Sequence, residues 1–145
     1  TATRVRSAVR DGRMEEAARL LGTPYRISGT VEHGRKLGST LGMPTANLLP
    51  LQDKLLPPNG VYYSKVYLGG CEYRGISNVG YKPTVSDRRI LGVETYLYDF
   101  DGDIYGQDMA VELLAFRRPE MKFDGVEALK EQMQKDIEAG RVWRG

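Results

Sequence analysis

The residues with the most chemistry to offer lie in one stretch, 34–47, which reads Gly-Arg-Lys-Leu-Gly-Ser-Thr-Leu-Gly-Met-Pro-Thr-Ala-Asn. Gly34, Gly38 and Gly42 let backbone amides come close to an anion, as phosphate-binding loops require, and Arg35 and Lys36 add positive charge. After Pro44, Thr45 and Asn47 offer two neutral oxygen ligands two residues apart. On an extended backbone such residues face the same way. A hydroxyl and an amide oxygen side by side suit a magnesium ion whose other ligands are the phosphates of a substrate. The same stretch also reads as a glycine-rich connector with an ordinary Pro-Thr turn, and composition does not choose between the two.

Five other positions carry charge or nucleophilic character. Glu94 sits in an otherwise apolar strand pattern beside Val93, Thr95 and Leu97, and a carboxylate at the inner mouth of a barrel could take a proton from a hydroxyl. A solvent-facing Glu on a half-exposed strand fits the pattern as well. Glu112 has the same kind of setting, between Val111 and Leu113, and reads as a solvated strand residue. Arg118 follows a strand pattern and precedes Pro119, which places it on a loop. His33 is the single histidine, so any Ser-His or Cys-His mechanism would depend on it, and no G-x-S-x-G elbow accompanies it. Cys71 opens a strand pattern and reads as a packed or half-exposed thiol. Tyr81, Tyr96 and Tyr98 could stack on a ligand ring, but they read more simply as packing residues.

Familiar phosphate signatures are missing. Residues 34–40 hold Gly, Lys, Ser and Thr but never Gly-Lys-Ser/Thr, and no G-x-G-x-x-G follows a strand. The Asp99, Asp101 and Asp103 series lacks the Gly and Glu of a calcium loop, with Ile104 and Ala110 at those positions. The net charge is +2, and residues 1–27 hold six Arg against three acids, so the body of the chain has no basic excess for a nucleic-acid backbone. No apolar run approaches the length of a membrane span, and no signal-peptide pattern opens the chain. The lone cysteine fits a reducing compartment, and a cytoplasmic location is expected.

These residues need a scaffold, and the periodicity supplies one. With 145 residues the chain fits one compact domain. Val5, Ala8 and Val9 make a small helical face with Thr3 as N-cap. Met14, Ala17, Ala18 and Leu21 make a second, stopped by Gly22. Strand patterns occupy 25–31, 61–68, 72–79, 90–98 and 108–116, with a Gly69-Gly70 hairpin and an Asp101-Gly102 turn; residues 34–60 read mostly as loop. A terminal helix carries Val126, Leu129, Met133 and Ile137 as its stripe, with Asp124 and Glu127 as a capping box and Gly140 as its end. Short strands plus one terminal helix predict a mainly β fold: a small closed antiparallel barrel covered by a C-terminal helix, preceded by a short helical segment.

Five stretches together carry a resemblance. Pro44-Thr45-Ala46-Asn47 after the glycine-rich loop, Ser77-Asn78-Val79-Gly80-Tyr81-Lys82-Pro83-Thr84, Val93-Glu94-Thr95-Tyr96-Leu97-Tyr98-Asp99-Phe100, Asp103-Ile104-Tyr105-Gly106, and Arg118-Pro119-Glu120-Met121-Lys122-Phe123 occur in the order of the riboflavin kinase family. Within it, the chain is similar to the kinase module of bacterial bifunctional FAD synthetases, over roughly residues 25–140. Thr1-Ala2-Thr3-Arg4-Val5-Arg6 resembles the end of the adenylyltransferase module that precedes the kinase in such proteins. The resemblance implies a Greek-key barrel over residues 25–145. It also implies that residues 1–24 are a helical linker and the tail of an adenylyltransferase module absent from this chain.

It further implies transfer of the ATP γ-phosphate to the ribityl 5′-hydroxyl of riboflavin, giving FMN and ADP. FAD formation would belong to the longer parent. Gly34, Arg35, Lys36, Gly38, Gly42, Pro44, Thr45 and Asn47 would hold the ATP phosphates, Thr45 and Asn47 also the magnesium, Glu94 would be the base, and Arg118 would lie on a flap over flavin and nucleotide. The partners would be small molecules, not nucleic acid or membrane. A non-catalytic flavin- or nucleotide-binding regulatory module is the alternative.

Overall fold

The computed structural model describes residues 1–32, 45–50, 54–83, 89–102 and 106–145. His33, Gly34, Arg35, Lys36, Gly38, Gly42, Pro44, Thr84, Asp103, Ile104 and Tyr105 lie outside the described residues. The chain runs α1 (Ala2–Arg10), α2 (Met14–Leu21), β1 (Tyr25–Glu32), β2 (Ala46–Leu48), β3 (Gly60–Leu68), β4 (Cys71–Pro83), β5 (Arg89–Leu97), β6 (Asp108–Pro119) and α3 (Val126–Val142). The six described strands close into an antiparallel barrel in the order β1-β2-β5-β4-β3-β6, with β6 returning to pair with β1. β6 lies beside β3 after the β3-β4-β5 meander, which is the Greek-key arrangement. The Gly69-Gly70 turn joins β3 to β4 with both glycines at positive φ, 59° and 80°.

Closure sorts the strand residues into an inside and an outside. Val31, Leu48, Val93 and Val79 form one continuous row around the interior, and Ala46, Thr95, Ser77 and Tyr62 form the next; all are 2% exposed or less. Directly paired residues of antiparallel strands share a face, so these rows fix the facing of every neighbour. The hydroxyls inside satisfy one another: Ser77 Oγ donates to Ser64 Oγ at 2.8 Å and lies 2.7 Å from Thr95 Oγ1.

The helices behave partly as their sequences suggest. Gly22 ends α2 in the left-handed conformation, φ 80°. The N-cap of α1 is Thr1 rather than Thr3: its hydroxyl accepts from the Arg4 amide at 3.3 Å. Thr3 already lies within the first turn of the helix. Ala8, Val9, Met14 and Ala17 are fully buried and join the barrel's own core cluster. Deleting residues 1–22 is therefore expected to expose that surface and lower stability by roughly 3 kcal/mol or more, judged from the burial of Val and Met alone. A thermal melt of the truncated chain beside the whole one checks this.

α3 begins without the expected capping box, since its N-cap is Gly125 and no side chain caps it. Nor does Gly140 end it. The helix runs on to Val142, and Arg74 of β4 caps its end, donating to the carbonyls of Gly140 (2.6 Å), Arg141 (3.1 Å) and Trp143 (2.9 Å). Gly140 has a packing role instead. A Cβ there would collide with Tyr98 Oη and lie 2.6 Å from Ile76 Cγ1, so its absence lets α3 rest on the outer face of β4 and β5. Ile137 packs on the small cluster of Val61, Ile76 and Tyr98, whose hydroxyl donates to the Ile137 carbonyl at 2.5 Å. Burial raises the Tyr98 pKa to about 12 and keeps it a neutral donor.

Candidate active site

Thr45 immediately precedes β2, and Asn47 is its central residue. Asn47 pairs with Glu94 of β5, Glu94 with Asn78 of β4, Asn78 with Val61 of β3, and Val61 with Arg118 of β6. Residues far apart in sequence thus form one row. Their chain neighbours Ala46, Leu48, Val93, Thr95, Ser77 and Val79 fill the interior, so this row faces outward. Glu94 therefore stands on the outer wall of the barrel rather than at its inner mouth. The alternation along β5 holds, and the interior takes Val93 and Thr95.

Within the row, the Thr45 hydroxyl donates to Glu94 Oε2 at 3.0 Å. That bond uses the hydroxyl proton and leaves Oγ1 lone pairs for another electrophile. Next to it, Asn47 Oδ1 is buried and has no hydrogen-bond partner among the described residues. A buried, unpaired amide oxygen is costly in a folded protein and calls for a reason. Glu94, Thr45 and Asn47 are all half-buried.

Arg118 is not on a loop. It lies within β6, one residue from its end, with its side chain 14% exposed. Its Nε and Nη2 both reach Asp136 of α3, at 2.9 Å to Oδ1 and 2.6 Å to Oδ2. Arg117 reaches the same carboxylate, its Nε 3.0 Å from Oδ1, and Gln132 adds a fourth donor at 3.1 Å. Two consecutive strand residues normally point to opposite faces. Here the pairing of β3 with β6 jumps from Val61–Arg118 to Tyr62–Phe116, and Arg117 is the extra residue of a β-bulge. The bulge turns both guanidiniums toward α3.

Asp136 is 3% exposed. Burial pushes its pKa up, but the hydrogen bonds from Arg118, Arg117 and Gln132 outweigh that and hold it below the usual carboxylate value. Sequence reasoning passed over Asp136. The available signal was an acid one turn from both Met133 and Gly140, on the helix flank that carries the apolar stripe.

Glu112 needs correction. It is 4% exposed, not solvated, and pairs with Arg26 at 3.0 Å while accepting from the Tyr67 hydroxyl at 3.3 Å. The Arg26 guanidinium also covers the Tyr67 ring, 4.5 Å from its centre. Both partners are on the neighbouring strands β1 and β3, invisible in local sequence. Cys71 is exposed at the start of β4. Tyr98 packs under α3 and against Tyr96, whereas Tyr81 is 53% exposed.

Comparison with known proteins now bears on this geometry. The flavokinase family model, described as riboflavin kinase, matches residues 21–143. The chain belongs to the riboflavin kinase family. Proteins described as bifunctional riboflavin kinase/FMN adenylyltransferase are 42% identical to it, from Listeria monocytogenes over 99% of this chain and from Bacillus subtilis over 91%. The chain spans less than half the length of these relatives, 46% and 42%. A riboflavin kinase structure from Trypanosoma brucei superposes with a TM-score of 0.56 at 25% identity, over 81% of this chain and 78% of that one. A crystal structure described as a macrolide-efflux protein from Streptococcus pneumoniae gives a TM-score of 0.89 at 38% identity, over 99% of this chain and 47% of that one. No helix among the described residues is long and apolar enough to cross a membrane. The closed barrel with its C-terminal helix is accordingly a riboflavin kinase fold, and the chain is a kinase domain of that family.

Proposed function

We propose that the outward row of Thr45, Asn47 and Glu94 is where this riboflavin kinase domain carries the ATP γ-phosphate to the ribityl 5′-hydroxyl of riboflavin. The hydroxyl oxygen forms a bond to the γ-phosphorus as the bond from that phosphorus to the β–γ bridging oxygen breaks, yielding FMN and ADP. Glu94 takes the hydroxyl proton on Oε1 while Thr45 holds Oε2, and the carboxylate needs only to lie within hydrogen-bond reach of the acceptor to do so. Thr45 and Asn47 would hold magnesium. The orphaned Asn47 Oδ1 beside a Thr45 Oγ1 whose proton is already engaged is the observation that supports this. When bound, magnesium supplies positive charge to the phosphate oxygens. No group of three or more His, Cys, Asp or Glu side chains gathers for a metal among the described residues, so the ion would rely on neutral oxygens and on the phosphates themselves.

Gly34, Arg35, Lys36, Gly38, Gly42 and Pro44 complete the proposal as the phosphate-binding loop; Arg118 would serve flavin and nucleotide as a cation by leaving the Asp136 carboxylate that holds it. The kinase barrel would span residues 25–145. Residues 1–24 would lead from an adenylyltransferase module of a longer cytoplasmic parent, docked on the barrel through α1 and α2. The regulatory-module alternative is disfavoured because the Thr45, Asn47 and Glu94 set is present and assembled.

Chromatography of riboflavin incubated with this chain, ATP and magnesium tests the reading. FMN is expected, without FAD; absence of FMN would turn belief to the binding module. Asn47→Ala is expected to weaken magnesium-dependent ATP binding about tenfold, the equivalent of one lost contact worth roughly 1.4 kcal/mol. Calorimetry with and without magnesium measures it. An unchanged affinity in magnesium would remove Asn47 as a ligand.

A further inference from the structure

Two glycines lie side by side next to the proposed base. Gly80 of β4 pairs with Gly92 of β5, the next outward pair along the ladder from Asn78 and Glu94. Both glycines are buried despite facing outward. Glycine inside a strand gives up packing and conformational entropy, and it recurs where another group must come close to the backbone. A facing pair leaves a shelf of main chain without side chains beside the carboxylate, covered at Gly80 by Glu120.

The shelf has an edge. A Cβ on Gly80 would meet Glu120 Oε1 at 3.1 Å and Asn78 Oδ1 at 3.4 Å. Two oxygens therefore converge over the point where the side chain is missing. Glu120 follows Pro119 at the end of β6, is exposed, and has no hydrogen bond or ion pair holding it among the described residues. Asn78 links the two carboxylates, being the ladder partner of Glu94 and the neighbour of Glu120 at the shelf.

We infer that Gly80, Gly92 and Glu120 select the phosphoryl acceptor. The glycines admit a polyhydroxylated chain against the backbone, and Glu120 and Asn78 bind its secondary hydroxyls. The primary hydroxyl then ends at Glu94. The inference rests on the kinase reading above and deepens it: the site selects a flavin by its polyol chain, not by a terminal hydroxyl alone. Hydroxyls supply donors, and an ionised Glu120 is an acceptor only, so the match is chemical as well as steric. A Cβ at either glycine would occupy the space that the chain needs.

The test compares riboflavin with a flavin whose ribityl chain is replaced by a 5-hydroxypentyl chain, which keeps the primary hydroxyl and lacks the secondary ones. Wild type is expected to favour riboflavin in kcat/KM by about 100-fold, the loss of hydrogen bonds to a charged partner. Glu120→Ala is expected to lower kcat/KM for riboflavin by about 10- to 100-fold and to leave the hydroxypentyl flavin within about twofold, collapsing the preference. Equal losses on both acceptors would overturn the assignment of Glu120.

Gly80→Ala is expected to weaken riboflavin binding at least tenfold, read by quenching of flavin fluorescence, with magnesium–ADP affinity unchanged by calorimetry. Glu120→Ala with Gly80→Ala gives the added Cβ room, so strain against Glu120 is removed while the shelf stays filled. This double variant should bind riboflavin more weakly than Glu120→Ala alone. Equal binding would show that Gly80 serves only to accommodate Glu120, and would overturn the shelf. Wild type that makes FMN without preferring the polyol chain fails this inference alone; wild type that makes no FMN fails the kinase reading with it.

Discussion

Glu94→Gln should lower FMN formation by about 10²- to 10⁴-fold, the usual worth of a positioned general base. The substitution keeps the side chain's shape and still offers an oxygen to the Thr45 hydroxyl, so the ladder between β2, β4 and β5 has no reason to change. It removes only the group able to take the acceptor's proton at neutral pH. Magnesium–ADP affinity, measured by calorimetry, should stay within about twofold of wild type, because one neutral contact at the edge of the phosphates is worth little. The loss should therefore appear in kcat. Turnover equal to wild type would remove Glu94 as the base while leaving the kinase assignment intact.

The second large effect is on stability. Asp136→Ala is expected to cost about 3 kcal/mol, near the lower end of what breaking a buried ion pair costs, because Arg117 keeps 24% of its side chain in solvent. For a chain of this size that corresponds to a melting temperature lower by roughly 10 °C. The reason is asymmetry: the carboxylate goes, and two guanidiniums brought together by the β6 bulge are left facing each other under α3.

The pH dependence follows from the same contacts. The folded pKa of Asp136 lies below its unfolded value, so its contribution is present above the ordinary carboxylate range and is lost as pH falls through the folded value. Wild type should lose stability more steeply than Asp136→Asn below about pH 4. Parallel acid-denaturation curves would show that the Arg117 and Arg118 contacts carry little of the fold.

Much of the scaffold was readable locally. The long strands announce themselves by apolar alternation, the Gly69-Gly70 turn by its composition, and the end of α2 by Gly22. β2 escaped because three residues, Ala46–Leu48, are too few to show a period, and they sit in a stretch dominated by Gly and Pro. Gly140 resembled a helix stop because that is the commonest use of glycine near a helix end. Its real cause, contact with Tyr98 and Ile76, lies on other elements. Glu112 looked solvated because Arg26 and Tyr67 reach it across strand pairings that no local window contains.

The candidate site divides in the same way. Residue types and spacings by themselves determined that Thr45 and Asn47 would share a face, that Glu94 would alternate with apolar neighbours, and that the motifs stand in the order of a riboflavin kinase. These are properties of a chain whose period in a strand is two. That period says which residues go together but not which face is inside. Only closure of the barrel decided it, by burying Val93, Thr95, Ala46 and Leu48 and turning Glu94 and Asn47 outward to meet. The same closure, with one extra residue in β6, set Arg117 and Arg118 on Asp136. Such pairings depend on register between distant strands, which is fixed by packing the whole interior at once.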